Sequence, residues 1–315
     1  MITDRFGRPV LNLRISVTQR CNFRCPYCHR EGQEPNPSGQ PVEMTADEII
    51  RLAKVAVDLD IKRIKLTGGE PLLRRDLLKI VSGIASLPGV EDLSMTTNGA
   101  LLAPMAEDLQ GSGLMRVNIS LPSLNSDLYT RLMGGTLSHV LHGIQAAVEV
   151  ELHPVKLNML VLRGQNEDEI PRMIAFARKS HALLQLIELE AINLTEAYYN
   201  LHHYSLENVE VDFAHRALRV EARSDMQNRH VYHLPEGVVE VIRPTENTEF
   251  CSHCTRLRLT SDGKLKPCLM VNSNLVDVLT PMRQGATDQQ LRELFADTCR
   301  NRVPFYRTVT LSQSS

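Results

Sequence analysis

The sequence lacks the features that would mark a membrane protein or a nucleic-acid-binding protein. Its longest uncharged apolar runs, such as residues 157–162, are only as long as a strand and far shorter than a membrane span. The formal net charge is −2, so no general positive field favours nucleic acid as a partner. The N-terminal residues contain no apolar stretch typical of a signal peptide. We therefore expect a cytoplasmic protein that works without a membrane or nucleic acid.

The cysteines do not have the even number and wide spacing of a disulfide framework. There are seven of them. Six form two tight groups of three, and the seventh is Cys299: the groups are Cys21, Cys25, Cys28 and Cys251, Cys254, Cys268. Ligation of a metal or cluster bunches cysteines in this way, whereas a disulfide scaffold spreads them. We interpret Cys299 as a buried small hydrophobe.

The first two thirds of the chain alternates short β-rich runs with helical stretches. The predicted strands are Leu11–Thr18, Arg63–Thr67, Asp92–Thr97, Arg116–Leu121, Val155–Leu162 and Leu184–Glu190. The predicted helices are 45–58, Leu72–Leu87, Leu102–Gln110, His139–Val150 and Glu167–Ser180. Six β-then-α units predict an α/β fold with a parallel sheet, closed or partly closed as a barrel. The chemistry of such folds gathers at the carboxyl ends of the strands.

The pattern changes near residue 200, which favours a barrel over residues 1–195 and a separate C-terminal region over 196–315. In the second region we predict extended segments, a hairpin-like stretch and a helix: Glu210–Val220 and Val231–Val241, Cys251–Cys268, and Asp288–Arg300, respectively. Residues 31–43 form a Pro- and Gly-rich loop, and the polar tail 308–315 is expected to be mobile.

The first cysteine group has the spacing Cys21-x3-Cys25-x2-Cys28 and directly follows the first predicted strand. Three thiolates on one short loop suit a four-iron cluster that keeps one iron without a protein ligand. The amino and carboxylate groups of S-adenosylmethionine (SAM) can chelate that iron. An electron from the cluster then cleaves the sulfonium to a 5′-deoxyadenosyl radical.

Three other interpretations of this group remain open. Cys25-Pro-Tyr-Cys28 is also a glutaredoxin-like dithiol sequence, although that interpretation gives Cys21 no role. A zinc site could use His29 as a fourth ligand, although adjacent Cys28 and His29 would struggle to reach one tetrahedral ion. Finally, the thiols could be buried and inert. The tight spacing favours the cluster over all three.

Two further motifs add to the cluster interpretation. The run Lys65-Leu-Thr-Gly-Gly69-Glu-Pro places two glycines where the second strand meets a loop, and glycine permits close approach of a ligand to the backbone. The second cysteine group is followed closely by Arg256 and Arg258. It suits either a zinc knuckle completed by His253 or a second cluster one ligand short. Planar guanidinium groups match phosphate oxygens, so the second alternative implies a phosphorylated substrate.

These motifs together resemble the GTP 3′,8-cyclase family of the radical SAM superfamily. The resemblance rests on Cys-x3-Cys-x2-Cys near the start, the Gly-Gly-Glu-Pro run, and Cys-x2-Cys-x13-Cys with Cys-x-x-Cys-x-Arg-x-Arg near the end. The resemblance implies an incomplete (βα)6 TIM-type barrel with a C-terminal α+β extension that carries a second [4Fe–4S] cluster. It also implies conversion of GTP to (8S)-3′,8-cyclo-7,8-dihydroguanosine 5′-triphosphate, the first step of molybdenum cofactor biosynthesis. The expected partners are GTP, an external electron donor and, downstream, cyclic pyranopterin monophosphate synthase.

The resemblance also implies roles for individual residues. Those expected to contact SAM are Tyr27, Gly69, Ser120 and Glu190. Those expected to contact GTP are Arg14, Lys65, Thr96, Lys156, Arg256 and Arg258. Glu190 departs from the family pattern, which has methionine at this position. The sequence also ends in Leu-Ser-Gln-Ser-Ser where many members end in Gly-Gly.

Two rival functions follow from the same residues. Another two-cluster radical SAM enzyme, acting on a peptide or a cofactor, would also use two cysteine groups, although such extensions often hold more than three cysteines. A zinc-stabilised binding protein without catalysis is the alternative from a different class.

Overall fold

The computed structural model describes residues 1–33 and 43–307. The predicted tail 308–315 and most of the predicted loop 31–43 lie outside the described residues. Within them, twelve strands form one sheet. The strands are β1 Asn12–Ser16, β2 Arg63–Thr67, β3 Asp92–Thr97, β4 Arg116–Ser120, β5 Lys156–Val161, β6 Leu183–Glu188, β7 Arg219–Arg223, β8 Arg229–Leu234, β9 Gly237–Ile242, β10 Arg256–Leu259, β11 Lys264–Lys266 and β12 Val276–Asp277.

The helices follow the strands in the order that the βα pattern predicts. They are α1 Ala46–Asp58, α2 Leu77–Ala85, α3 Ala106–Gly111, α4 Ser126–Met133, α5 Leu137–Glu149, α6 Ile170–Lys179, α7 Glu196–His202, α8 Glu207–Arg216, α9 Thr248–Ser252, α10 Leu279–Arg283 and α11 Asp288–Arg300. Strands β1 to β6 are parallel neighbours in sequence order. The six predicted strands and the α/β fold class are confirmed, and α1 and α11 have almost the predicted bounds.

Helix α1 shows how locally the sequence specifies these elements. Thr45 accepts a hydrogen bond from the backbone N–H of Glu48, and the Glu48 carboxylate accepts one from the N–H of Thr45. This reciprocal capping box satisfies two donors that a helix start otherwise leaves unpaired. The apolar stripe that includes Ile49, Leu52 and Ala56 is fully buried. The helix therefore packs its predicted face against the sheet.

The C-terminal region extends the sheet at both edges. Strand β10 runs parallel to β1, with Arg258 in register with Arg14. At the opposite edge, β9 runs parallel to β6, with Gln185 in register with Glu240. The sheet order is therefore β12-β11-β10-β1-β2-β3-β4-β5-β6-β9-β8-β7. As a result, residues more than 200 positions apart in the chain lie on adjacent strands.

One extended segment was wrongly predicted. Most of Glu210–Val220 is helical, because α8 spans Glu207–Arg216 and only Arg219–Arg223 forms a strand. The run Val209-Glu-Val-Asp-Phe213 alternates apolar and polar residues as a half-buried strand does. In α8, however, Phe213 is buried while Val211 is exposed. The alternation therefore did not correspond to a buried face.

The remaining differences are smaller. The predicted extended segment Val231–Val241 is the antiparallel hairpin β8–β9. Helices α4, α7, α9 and α10 were not predicted. The predicted helix Leu72–Leu87 contains α2 preceded by a short 3₁₀ turn at Pro71–Leu73. Arg74 separates the two, since its guanidinium donates to the carbonyl oxygens of Val17 and Met44.

Candidate active site

Alternate residues of the parallel strands give the sheet an apolar outer face and a polar inner face. In β1, Leu13 and Ile15 are fully buried in the core. Arg14, the residue between them in the strand, faces a cavity. Lys65 of β2 lies beside Arg14 in register and lines the same cavity. Closed barrels normally fill this space with layers of branched apolar side chains. Here it is a cavity of about 350 Å³ whose lining includes many charged side chains.

The cavity brings together every site residue that the sequence selected. Its lining includes Arg14, Cys21, Cys25, Tyr27, Cys28, Lys65, Gly69, Thr96, Ser120, Lys156, Glu190, Cys251, Cys254, Arg256, Arg258 and Cys268. Residues that the sequence did not select also line it, among them Glu31, Met133, Arg223 and Arg229. Both cysteine groups therefore face one space.

The first cysteine group lies on the loop after β1, and its three thiols are free. Burial, together with neighbouring Cys28 and Cys21, raises the pKa of the Cys25 thiol to about 12. The Cys25 Sγ is 3.5 Å from the Met133 Sδ, and the Tyr27 hydroxyl donates to the same Sδ at 2.9 Å. Met133 at the end of α4 thus supports the loop.

The glycine pair of β2 packs directly against the backbone that leads into the first cysteine group. The N–H of Gly69 donates to the carbonyl of Thr18 at 2.7 Å, and that of Glu70 donates to the carbonyl of Arg20 at 2.7 Å. A Cβ atom on Gly69 would lie 2.2 Å from the carbonyl oxygen of Arg20. Only glycine allows this approach, so the Gly-Gly-Glu-Pro run fixes the position of the cysteine loop.

The second cysteine group is built from the end of α9 and the residues after β11. Burial raises the pKa of the Cys251 and Cys268 thiols. Burial also opposes ionisation of Cys254, but the guanidinium groups of Arg302 and Arg256 outweigh it and lower the pKa of that thiol. A positive environment of this kind favours the thiolate, which is the ligating form.

Glu31 links the first cysteine loop to two basic strands. Its carboxylate accepts from Arg258 at 2.5 Å, from the Thr67 hydroxyl at 2.9 Å and from Arg14 at 3.4 Å. Burial raises the pKa of Glu31, but Arg14 and Arg258 outweigh burial and lower it to about 2. Glu31 follows Cys28 by three residues, and no spacing pattern in the sequence pointed to it.

A second buried carboxylate, Glu240, is shared by three basic side chains. The Lys156 ammonium lies 2.6 Å from it, and Arg223 and Arg229 lie at 3.0 Å and 3.6 Å. Burial opposes ionisation, but Lys156 and Arg229 outweigh it and keep the pKa of Glu240 well below its usual range. A lone glutamate within the apolar run Val-Val-Glu-Val-Ile is a sequence signal for such a partner, because unpaired carboxylates are almost never fully buried.

Two of the predicted basic residues have no carboxylate within ion-pair distance in the described part of the chain. Lys65 donates to the amide oxygen of Asn118 at 2.7 Å. Burial, and then the charges of neighbouring basic residues, hold the pKa of Lys65 and Arg256 well below their ordinary values. For Arg256 the largest contributions from charged neighbours come from Arg229 and Arg14. Such crowded positive charge favours a polyanion in the cavity.

The donor chemistry of both cysteine groups fits iron–sulfur clusters. Each group offers three free thiols on the wall of one cavity. Three cysteines per four-iron cluster leave one iron of each without a protein ligand.

Comparison with known proteins agrees with this geometry. Residues 15–177 match the model of the radical SAM superfamily, and residues 182–308 match the model named Molybdenum Cofactor Synthesis C. The chain is 18% identical to the Streptococcus suis protein SuiB bound to its precursor peptide SuiA, with a TM-score of 0.64 over 95% of this chain and 66% of that one. It is 16% identical to anSMEcpe with bound AdoMet, with a TM-score of 0.61 over 95% of this chain and 84% of that one. At these identities the two structures show the fold alone. The fold and the first match define a radical SAM protein.

Full-length relatives narrow the class. The chain is 48% identical to a probable GTP 3′,8-cyclase of Thermococcus kodakarensis over 98% of this chain and 100% of the relative. It is 44% identical to a protein of the same name from Methanothermobacter thermautotrophicus over 97% and 99% of the two chains. The chain therefore belongs to the GTP 3′,8-cyclase family. In the described residues, no helix is both long enough and apolar enough to cross a membrane.

Proposed function

We propose that this protein converts GTP to (8S)-3′,8-cyclo-7,8-dihydroguanosine 5′-triphosphate with SAM and two [4Fe–4S] clusters. One observation carries the proposal: both cysteine groups face a single cavity whose wall between them is lined by basic side chains. A cofactor at one end and a triphosphate substrate at the other would then lie within reach of each other. The full-length likeness to proteins named probable GTP 3′,8-cyclase supports the same reaction.

At the SAM end, Cys21, Cys25 and Cys28 would hold the first cluster. This cluster, when bound, supplies the electron that splits SAM and so the radical that removes a hydrogen atom from the ribose 3′ carbon of GTP. The chain contributes position. Gly69 fixes the loop against the backbone, and Tyr27, Gly69, Ser120 and Glu190 form the remaining SAM contacts: they lie on the loop and at or beyond the carboxyl ends of β2, β4 and β6.

At the substrate end, Cys251, Cys254 and Cys268 would hold the second cluster, whose open iron can accept a nitrogen or oxygen ligand of the guanine. Lys65 and Arg256 are the first candidates for the triphosphate, because neither has a carboxylate partner in the described residues. Each charge-assisted contact to a phosphate contributes about 1.5–3 kcal/mol. Bound phosphate would also relieve the repulsion among the buried cations.

The other basic residues predicted to contact the substrate are already paired with carboxylates. Arg14 and Arg258 share Glu31, and Lys156 is bonded to Glu240. These carboxylates hold the cations in fixed orientations, so that little side-chain entropy is lost when phosphate binds. Thr96 of β3 lies between them and offers a hydroxyl group to the substrate. Arg223 and Arg229 extend the same basic surface toward β7 and β8.

The cellular setting follows from the same reaction. The first cluster needs an external electron donor, and the product would pass to cyclic pyranopterin monophosphate synthase. Residues 1–195 would form the SAM-binding barrel, and residues 196–315 the substrate and auxiliary-cluster region. We propose the cytoplasm as the compartment, since reduced thiols persist there.

The test compares substrates with anaerobically reconstituted protein. The protein is incubated with SAM and dithionite and with GTP, ATP or a peptide, and 5′-deoxyadenosine and cyclised nucleotide are measured by mass spectrometry. Of the three substrates, we expect only GTP to give a cyclised product. The Cys28→Ala variant should lose both products, whereas Cys268→Ala should still cleave SAM slowly without cyclising GTP. A peptide product, or a colourless zinc-containing protein, would refute the proposal in favour of one of the two rivals.

A further inference from the structure

Three charged side chains are buried together at the junction of the two chain ends. Asp4 and Arg8 belong to the N-terminal segment, and Arg302 follows α11. Their exposed fractions are 5%, 5% and 1%. Removing charged groups from water is costly unless they are paired and hydrogen-bonded. A role for this triad must therefore account for three buried charges, of which Arg8 also lines the cavity.

Asp4 holds both arginines. Its Oδ2 lies 2.9 Å from Arg8 Nη2 and 2.9 Å from Arg8 Nε, and Arg302 Nη1 lies 3.7 Å from the same oxygen. Asp4 also accepts the backbone N–H groups of Phe6 and Arg8 at 2.9 Å and 3.1 Å. The carboxylate therefore fixes the direction of the Arg8 guanidinium and offsets part of the charge of Arg302.

Both guanidinium groups point at the backbone of the second cysteine group. Arg8 Nη1 donates to the carbonyl oxygen of Cys251 at 2.8 Å. Arg302 Nη2 donates to the carbonyl oxygen of Cys254. These carbonyls belong to the first and last residues of the Cys-x-x-Cys turn, which is closed by a 3.3 Å bond from the Cys254 N–H to the Cys251 carbonyl.

The N-terminal segment also fixes the residue that follows this turn. The backbone N–H groups of Leu11 and Asn12 donate to the carbonyl of Thr255 at 3.0 Å and 3.1 Å, and the Asn12 side chain donates to the Thr255 hydroxyl at 2.8 Å. The turn is thus held along its length by residues from the opposite end of the chain. A segment that served only to cover the core would not need a charged contact to a cysteine carbonyl.

The charge of the triad also suits the turn. Two guanidinium groups against one carboxylate leave a net positive charge beside Cys251 and Cys254. Cysteines ligate as thiolates, and groups around a metal ligand commonly set its orientation and charge environment. Hydrogen bonds to the carbonyls additionally draw electron density from the ligand backbone.

We propose that Asp4, Arg8 and Arg302 are positioning residues that hold the Cys251–Cys254 turn in the conformation that binds the second cluster. The inference rests on the proposed function in one respect, namely that the second cysteine group holds a cluster. The role assigned to the three residues involves no contact with the substrate or SAM. They act through the cysteine backbone, and their loss should affect one cluster and spare the other.

The test measures iron and acid-labile sulfide per chain after anaerobic reconstitution. The wild-type protein should bind about eight irons, whereas Arg302→Gln and Arg8→Gln should fall toward about four. Slow SAM cleavage in the absence of GTP depends on the first cluster alone and should persist in both variants. Arg302→Lys keeps the charge and one donor and should retain an intermediate amount of iron. Arg300→Gln and Arg5→Gln, which change exposed arginines in the same two segments, should match the wild type.

Two results would overturn the positioning role of the triad, and a third would overturn the second cluster itself. Full iron content in Arg8→Gln and Arg302→Gln would overturn the positioning role, and so would equal loss of iron from both clusters with loss of SAM cleavage, since that pattern indicates general unfolding. A wild-type protein that binds only about four irons would instead contradict the second cluster of the proposed function and, with it, the role built on that cluster.

Discussion

The guanidinium of Arg258 lies 2.5 Å from the carboxylate of Glu31. This ion pair joins β10, in the C-terminal region, to the loop that carries the first cysteine group. Arg14 shares the same carboxylate from β1. A single buried glutamate therefore connects the loop expected to bind the SAM cluster with two arginines expected to bind GTP.

The Glu31→Gln variant should be less stable by about 3–5 kcal/mol, because it leaves two buried arginines without their counter-ion. The pKa of Glu31 is lowered from 4.5 to about 2, so ionised Glu31 favours the folded state. Its contribution is fully present above the ordinary pKa and is lost as the pH falls from there through about 2. Urea unfolding of the apoprotein at several pH values measures this directly.

The stability difference between wild type and Glu31→Gln should shrink as the pH falls below about 4.5. Glu169→Gln is the matched control, because that carboxylate bonds Ser123 and the N–H of Leu124 away from the cavity. A pH-independent difference for Glu31→Gln would contradict the account of its ionisation.

Arg256 and Arg258 should differ although they are two residues apart on one strand. Arg256→Gln removes a cation without a carboxylate partner in the described residues, so GTP binding should weaken about 10- to 100-fold with little loss of stability. Arg258→Gln also removes the nearer of the two arginines paired with Glu31 and should lower the melting temperature as well. Anaerobic calorimetry of GTP binding and thermal unfolding separate the two effects. Equal stability of the two variants would show that the Glu31 pair contributes nothing.

Gly69→Ala should impair the first cluster. The added methyl group would meet the carbonyl oxygen of Arg20 at 2.2 Å, and backbone so close to Cys21 cannot move without displacing the loop. Reconstituted iron and SAM cleavage should both fall. Gly111→Ala is the control, since its methyl group would meet nothing within 4 Å. Normal SAM cleavage by Gly69→Ala would argue against close packing of this loop.

Arg229→Gln should reduce the preference for a triphosphate. Arg229 is buried beside Arg256 and Glu240, and its Nε has no hydrogen-bond partner within residues 1–33 and 43–307. Its loss should weaken GTP binding more than GMP binding in competition measurements. Arg216→Gln, an exposed arginine on α8, should leave the ratio unchanged. Parallel losses for GTP and GMP would place Arg229 away from the terminal phosphates.

Much of the fold was predictable because local patterns and packing agree. Strands β1 to β6 follow apolar runs, and Thr45 with Glu48 marks the start of α1 as the capping box requires. Helix α8 was not predictable in this way. Its alternating Val-Glu-Val-Asp-Phe run matches a strand period, while its single buried side chain, Phe213, gives no helical stripe.

The site residues likewise fall into those that local sequence motifs predict and those that only the folded sheet brings together. The cysteines and the Arg256–Arg258 pair belong to short sequence motifs, so the sequence alone identifies them as site residues. Glu31 does not, because its partner Arg258 is 227 positions away and meets it only through the parallel pairing of β1 with β10. The same holds for Arg8 and Arg302. Long-range ion pairs depend on sheet order, which no short motif records.

The most direct test of the central claim uses GTP carrying deuterium at the ribose 3′ carbon. Reconstituted protein with SAM and dithionite should transfer the deuterium to 5′-deoxyadenosine and form a cyclised isomer of GTP that has lost the label. The transfer should require both cysteine groups. Formation of 5′-deoxyadenosine without deuterium, together with unchanged labelled GTP, would contradict the claim that the cavity places the ribose of GTP beside SAM.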